Sequence, residues 1–241
     1  MSLFASIQNA NIQTKEEDVL GGGRTVPSNV YPAGIKLAYL DAAASGAICV
    51  VFDFAMLVNG KERNHKETIY ISNKNKEFTY KDKQSGEDKP LPGFVTVDSI
   101  CKAVTGKSIT ELSTEKKMVK VYDYDQKAEV PQEKEVLMDL IRGKLELGII
   151  EAIVDKNVKT DAGGYVPSGE TREQNELSKV FNEDGLTQLE KESGATEAKF
   201  KAAWLEQYAG KKINKAKGAA AGAKAGGVSG ASKPAASPLF G

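Results

Sequence analysis

The stretch from Val30 to Asn73, VYPAGIKLAYLDAAASGAICVVFDFAMLVNGKERNHKETIYISN, constrains the fold more than any other part of this chain. Ile35, Leu37 and Tyr39 alternate with Lys36 and Ala38, the period of 2 that a half-buried strand requires. The small residues Ala43, Ala44, Ser45 and Gly46 interrupt that pattern. Ala47 to Val58 then runs almost wholly apolar, with Ile48, Val50, Phe52, Phe54 and Met56 on one face. So many β-branched and aromatic side chains favour strand over helix. Asn59-Gly60 follows, a pair in which both residues tolerate positive φ, and it predicts a tight hairpin into a third strand at Lys66–Ser72. The stretch predicts a twisted antiparallel meander.

Downstream, Asn73 to Pro92 is lysine-rich, carries Phe78 and Tyr80, and turns at Ser85-Gly86-Glu87-Asp88. The period then changes. Val97, Ile100, Cys101 and Val104 fall at helical spacing over Phe94–Gly106, with Thr96 as the expected N-cap and Gly106 as the stop. Ser108 and Glu111 have capping-box spacing. Met118 to Asp125 alternates again, with Lys120, Tyr122 and Tyr124 on one side and Val119 and Val121 on the other. Glu135 to Ile141 predicts a short amphipathic helix stopped by Gly143, and Lys144 to Asp155 a strand paired through the Gly163-Gly164 turn with Tyr165-Val166. Gly169-Glu170-Thr171-Arg172 begins an expected polar connection to Val180-Phe181. A helix over Thr196–Tyr208 closes the folded part, its stripe of Phe200, Ala203, Trp204 and Tyr208 marking Trp204 as a packing anchor.

Composition divides the chain. Residues 1–23 are polar and end in three glycines, a flexible segment before a domain spanning 24–208. Residues 209–241 are low-complexity Ala/Gly/Lys/Ser, expected to be disordered, with a hydrophobic tip at Leu239 and Phe240. Charge is balanced overall, yet six lysines and no acid lie from Ala209 onward, leaving 27 basic against 33 acidic groups in residues 1–208. A mildly acidic body argues against a fold that coats phosphates over its whole surface. Two cysteines and one histidine supply neither a zinc set nor a disulfide framework, so Cys49 and Cys101 are expected as buried thiols and His65 as an exposed turn residue. Asp123, Asp125 and Glu129 lack the spacing of a calcium loop. No apolar run is long enough to span a bilayer and the N-terminus is not that of a signal peptide, so a soluble, cytosolic, non-enzymatic protein without cofactor or metal is expected.

A three-stranded meander, then a helix, then two more strands is the order of an OB-fold. Such folds bind single strands with a cationic groove and aromatic platforms. The candidates are Lys36 and Tyr39 on the first strand, Tyr70 leading into Lys74, Lys76, Phe78, Tyr80, Lys81 and Lys83, and Lys120, Tyr122 and Tyr124 together on the fourth. Tyr39, Phe78 and at least one of Tyr122 and Tyr124 serve equally well as core residues. The fold expected is therefore mainly β with α additions: an OB-fold-like antiparallel barrel with an inserted helix, a C-terminal helix and a disordered tail.

Leu20-Gly-Gly-Gly23, Lys66-Glu-Thr-Ile-Tyr-Ile-Ser-Asn73, Leu91-Pro-Gly-Phe94, Val119-Lys-Val-Tyr-Asp123 and Gly169-Glu-Thr-Arg172, with the Lys/Gly/Ala tail ending in Leu239-Phe240-Gly241, resemble the single-stranded DNA-binding proteins of tailed bacteriophages. The resemblance implies an OB-like fold, cooperative coating of single-stranded DNA during phage replication or recombination in the host cytoplasm, and no catalysis. It also implies recruitment of phage replication proteins through the Leu239-Phe240 tip. In many such proteins the flexible tail is acidic; here it is basic, which makes contact along DNA the alternative role. A second reading, favoured by the acidic body, is a protein-interaction or annealing-mediator module of a phage replication or recombination complex.

Overall fold

The computed structural model describes residues 25–123, 126–159 and 165–217. Strands β1 (Asn29–Ala42), β2 (Ile48–Val58) and β3 (Lys61–Tyr70) form the expected meander. Asn59 and Gly60 both take positive φ, 49° and 76°, so the turn twists with its strands. Val50, Phe52, Phe54 and Met56 line the main core as one face of β2.

Strand β1 departs from the regular alternation its sequence suggests. Its register against β2 shifts between Ile35 and Leu37, with Lys36 as the extra residue. Such a bulge bends the strand and reverses which face later side chains occupy. Ile35 therefore packs in the main core, while Leu37 and Tyr39 join a second cluster on the opposite face. The bend also lets the first half of β1 pair with β8 (Lys144–Lys159) while the rest stays on β2.

Two short strands, β4 (Thr79–Lys81) and β5 (Asp88–Pro90), make a separate hairpin. Helix α1 (Pro92–Thr105) buries Val97, Ile100 and Cys101 in the main core. Pro92 opens it, Leu91 holds the N-cap position, and the Thr96 hydroxyl instead donates to the Pro92 carbonyl at 3.0 Å. The fixed φ of proline suits the first helical position, so the helix starts four residues before Thr96, which lies inside it rather than at its cap. Gly106 closes the helix in the left-handed region, and Ser108 and Glu111 form the expected capping box on a single 3-10 turn, Ile109–Glu111.

The helix expected at Glu135–Ile141 does not form. Val136 ends a strand, β7 (Ala128–Val136), which hairpins with β6 (Glu115–Asp123), and Met138–Leu140 is one 3-10 turn. Val136 faces the second cluster, whereas Leu137 and Leu140 face the main core. An apolar run that crosses between two cores mimics helical spacing.

Nor is Gly169–Arg172 a connection. It lies inside β9 (Tyr165–Phe181), which pairs with β8 in a long antiparallel ribbon. The ribbon reads as polar because β9 is exposed from Tyr165 to Glu173, so no face there demands apolar residues. A register irregularity opposite Asp155–Asn157 accommodates Gly169, at φ 85°.

The main sheet runs β10–β8–β1–β2–β3, with β9 on the other edge of β8 and β7 joined to β1. Mainly antiparallel, it stays open rather than closing into a barrel, because β3 pairs only with β2 and β9 only with β8 among the described residues. Helices α2 (Gln188–Glu192) and α3 (Lys199–Tyr208) follow β9. Trp204 is buried against Gly148, as a packing anchor should be. Packing also continues beyond Tyr208, where a disordered tail was expected: β10 (Lys212–Asn214) pairs in parallel with Glu151–Ile153 of β8. Residues 218–241 lie outside the described residues.

Candidate nucleic-acid interface

Tyr70 pairs across the sheet with Cys49 and so shares the face of the second cluster. On that face Val119 and Val121 of β6 pack against Tyr39, Cys49 and Val51. Strand alternation then directs Lys120 and Tyr122 to the outer side of the β6–β7 hairpin. After β3 the chain is organised by Asn73, whose Oδ1 accepts from the backbone N–H groups of Asn75 (2.9 Å) and Glu77 (3.0 Å). This turn delivers Phe78 and Tyr80 to the β4–β5 hairpin.

Phe78 meets Phe94 of α1 edge to face, with ring centroids 5.9 Å apart. The adjoining Gly93 lies so close to β3 that a Cβ there would overlap the Tyr70 carbonyl oxygen. One close approach thus links Tyr70, the start of α1 and, through Phe94, the ring of Phe78.

Exposure separates the aromatic candidates. Tyr70, Phe78, Tyr80 and Tyr122 are 41–51 % exposed, whereas Tyr39 is 3 % exposed. Tyr39 is a core residue because the bulge turns it under the β6–β7 hairpin, where Val136 is its cross-strand neighbour and the Lys134 ammonium lies 6.0 Å from its ring centre. Burial, then the nearby Asp41 carboxylate, pushes its phenol up to about 12. It offers no ring face to a ligand. Tyr124, Leu239 and Phe240 lie outside the described residues.

The lysines divide as clearly. Lys74, Lys76, Lys81, Lys83 and Lys120 are exposed, as is Lys66 from the same interleaved run, and none has a carboxylate within ion-pair distance among the described residues. Lys36, the bulge residue, is held by Asn64 Oδ1 at 3.0 Å and by Glu62 at 3.7 Å. Of the tail lysines, Lys212 lies 2.6 Å from Glu173 and 3.2 Å from Glu151, and Lys215 2.6 Å from Glu176. The basic segment is partly neutralised by the acidic ribbon beneath it.

Sequence reasoning missed Met118 and Tyr165, 67 % and 70 % exposed. Met118 shares the face of Lys120 and Tyr122, and extending that alternation two residues back would have found it. Tyr165 opens β9 across from Lys159, and no local pattern distinguishes it. His65 is not an exposed turn residue: it is 9 % exposed on β3, stacked 6.4 Å from Phe54, with Nε2 2.9 Å from Glu67. Cys49 and Cys101 are buried and unbridged, and burial pushes the Cys101 thiol up to about 12.

No group of three or more His, Cys, Asp or Glu side chains is arranged to hold a metal ion among the described residues. Comparison with known proteins finds no matching family model, no matching curated relative and no matching solved structure. The described residues thus carry half-exposed rings and exposed lysines on the same two chain segments, with no carboxylate within ion-pair distance of those lysines among them.

Proposed function

We propose that this protein binds single-stranded DNA without strong sequence preference, coating and protecting it during phage DNA replication or recombination in the host cytoplasm. The observation that carries this reading is that Tyr70, Phe78, Tyr80 and Tyr122, all half-exposed, lie on the same chain segments, 70–83 and 120–122, as Lys74, Lys76, Lys81, Lys83 and Lys120, which have no carboxylate within ion-pair distance among the described residues. Strand order supports an OB-type reading. A meander, a helix that follows it after the short β4–β5 hairpin and precedes the later strands, and pairing of β1 with both β2 and β8 are compatible with that fold, with the β4–β5 and β6–β7 hairpins as insertions. No helix among the described residues is long and apolar enough to cross a membrane.

Glutamates on the same hairpin favour a second reading, a protein-interaction or annealing-mediator module. Glu129 stands opposite Tyr122, where it repels phosphate, and Glu133 stands opposite Met118, where it is held 3.0 Å from the Lys116 ammonium and occupies a cation that a phosphate would otherwise take. Titration of labelled single- and double-stranded oligonucleotides at two salt concentrations separates the two. Tighter binding of single strands, weakened by roughly 1–3 kcal/mol on replacing Tyr70, Phe78, Tyr80 or Tyr122 by Ala, supports the first reading. Equal or negligible binding of both oligonucleotides overturns it.

A further inference from the structure

A cleft of about 420 Å³ opens on the β1–β2–β8 face, but its lining mixes Lys144 with Glu146 and Glu183 and selects no charge. A second cleft, of about 360 Å³, differs in kind. It lies between Phe78, which leads into the β4–β5 hairpin, and Ile109 and Leu112 of the capped 3-10 turn, with Phe94 and Ile71 also on its wall. Its lining is apolar except for Thr110 and Thr114. An edge-to-face pair such as Phe78 and Phe94 consumes at most one ring face between them, so a flat guest can stack on another. The segment that supplies Phe78 also carries Lys74, Lys76, Lys81 and Lys83, none held by a carboxylate among the described residues.

We infer that this cleft takes one unstacked nucleobase of a bound single strand, with the neighbouring phosphates on these lysines. The inference rests on the proposed function and adds a specific pocket to it. None of these lysines lines the cleft, but each lies two to five residues from Phe78 in the chain. A nucleotide whose base stacks on Phe78 therefore brings its phosphates within their reach, whereas an apolar peptide side chain would fill the cleft and leave them without anions. The Thr114 hydroxyl supplies a donor for a base edge, and the Thr110 hydroxyl, which itself donates to Ser108 Oγ at 3.1 Å, supplies an acceptor. Formation of the complex breaks one base-stacking contact in the free strand and replaces it with a ring contact in the protein.

The test uses the full chain and two oligonucleotides of equal length, one of thymidines and one with abasic sites throughout. Wild-type protein is expected to prefer the thymidine strand by about tenfold. Leu112→Trp, which fills the cleft, is expected to lose the share of that preference that Tyr70, Tyr80 and Tyr122 do not supply, a reduction of several-fold, while keeping its affinity for the abasic strand. Phe94 labelled as 4-fluorophenylalanine gives a second readout independent of that variant. Its fluorine resonance should shift with the thymidine strand and not with the abasic one. Equal affinities and equal shifts for the two strands overturn the pocket but leave single-strand binding standing. Absence of binding to either strand overturns the proposed function itself. A Phe94 resonance that moves when residues 239–241 are deleted, with no DNA present, shows the cleft occupied by the chain's own end and likewise overturns the inference.

Discussion

Asn175 holds Val26 by both of its backbone groups: its Oδ1 accepts from the Val26 N–H at 2.8 Å, and its Nδ2 donates to the Val26 carbonyl at 2.7 Å. A neighbouring strand would make the same pair of bonds. Here one side chain makes them, and Val26 is buried in the main core. Asn175→Ala leaves a donor and an acceptor unpaired and is expected to cost about 2 kcal/mol or more. Asn175→Asp restores only the acceptor and sets an oxygen against the Val26 carbonyl, so it should rescue little. Urea unfolding of the three proteins measures this, and an unchanged midpoint in Asn175→Ala would show that the contact contributes nothing.

Gly93 is required by space rather than by φ. A Cβ at this position overlaps the Tyr70 carbonyl oxygen and crowds Ile69 Cγ2 at 3.2 Å. Gly93→Ala must push α1 away from β3, at an expected cost of about 1–3 kcal/mol. Because Phe94 and Phe78 move with the helix, single-strand affinity should fall as well. Thermal unfolding and oligonucleotide titration read the two effects separately.

The segment after Gly210 belongs to the folded body. Ile213 packs with Trp204 and Tyr208, and Lys212 neutralises Glu151, which is 8 % exposed and also accepts from the Thr25 hydroxyl at 2.8 Å. Truncation after Gly210 is expected to lower stability by about 2 kcal/mol or more, since it removes the Ile213 contacts and strips a buried carboxylate of its cation. Truncation after Lys217 keeps every one of these contacts and should leave the midpoint in place. Equal midpoints for both truncations would refute the role assigned to β10.

Lysines that are unpaired and lysines that are engaged should differ in salt dependence. Each phosphate neutralised on a single strand contributes about 0.7 to the log–log slope of affinity against salt. Lys81→Gln with Lys83→Gln is expected to flatten that slope by about 1.4. Lys212→Gln with Lys215→Gln should scarcely change it, because Glu151, Glu173 and Glu176 already hold those charges. A larger effect from the second pair would mean that DNA displaces the glutamates.

Asp98 makes stability sensitive to acid. Burial alone would raise its pKa, but hydrogen bonds from Ser108 Oγ (2.6 Å), Lys102 Nζ (3.0 Å) and the Ile109 N–H (3.0 Å) outweigh it and hold the carboxyl below the usual value. A depressed pKa in the folded state means that protons bind the unfolded chain more readily. The stabilisation is therefore complete above the ordinary carboxylate pKa of about 4 and disappears as pH falls through the folded value. Asp98→Ala should be less stable than wild type at neutral pH, and the gap should close in acid. A gap independent of pH would mean that the side chain acts through packing alone.

Wherever one neighbourhood decides the outcome, the chain's own order of residues determined it. Asn59-Gly60 demanded a hairpin because of its backbone freedom, β2 announced its buried face by period, and Gly106 and the Ser108/Glu111 pair ended and restarted helical turns through local hydrogen bonds. The alternation of Lys120 and Tyr122 against Val119 and Val121 was legible for the same reason. Only the tertiary structure decided that Lys36 is a bulge and Tyr39 therefore core, that Val136 and Leu137 serve opposite cores, and that polar β9 is a strand. It likewise decided which lysines face carboxylates, since Glu151, Glu173 and Glu176 approach Lys212 and Lys215 across some 40 to 60 residues of intervening chain. Hydrogen-bonding and packing partners distant in sequence set face, register and charge pairing, and no local period carries that information.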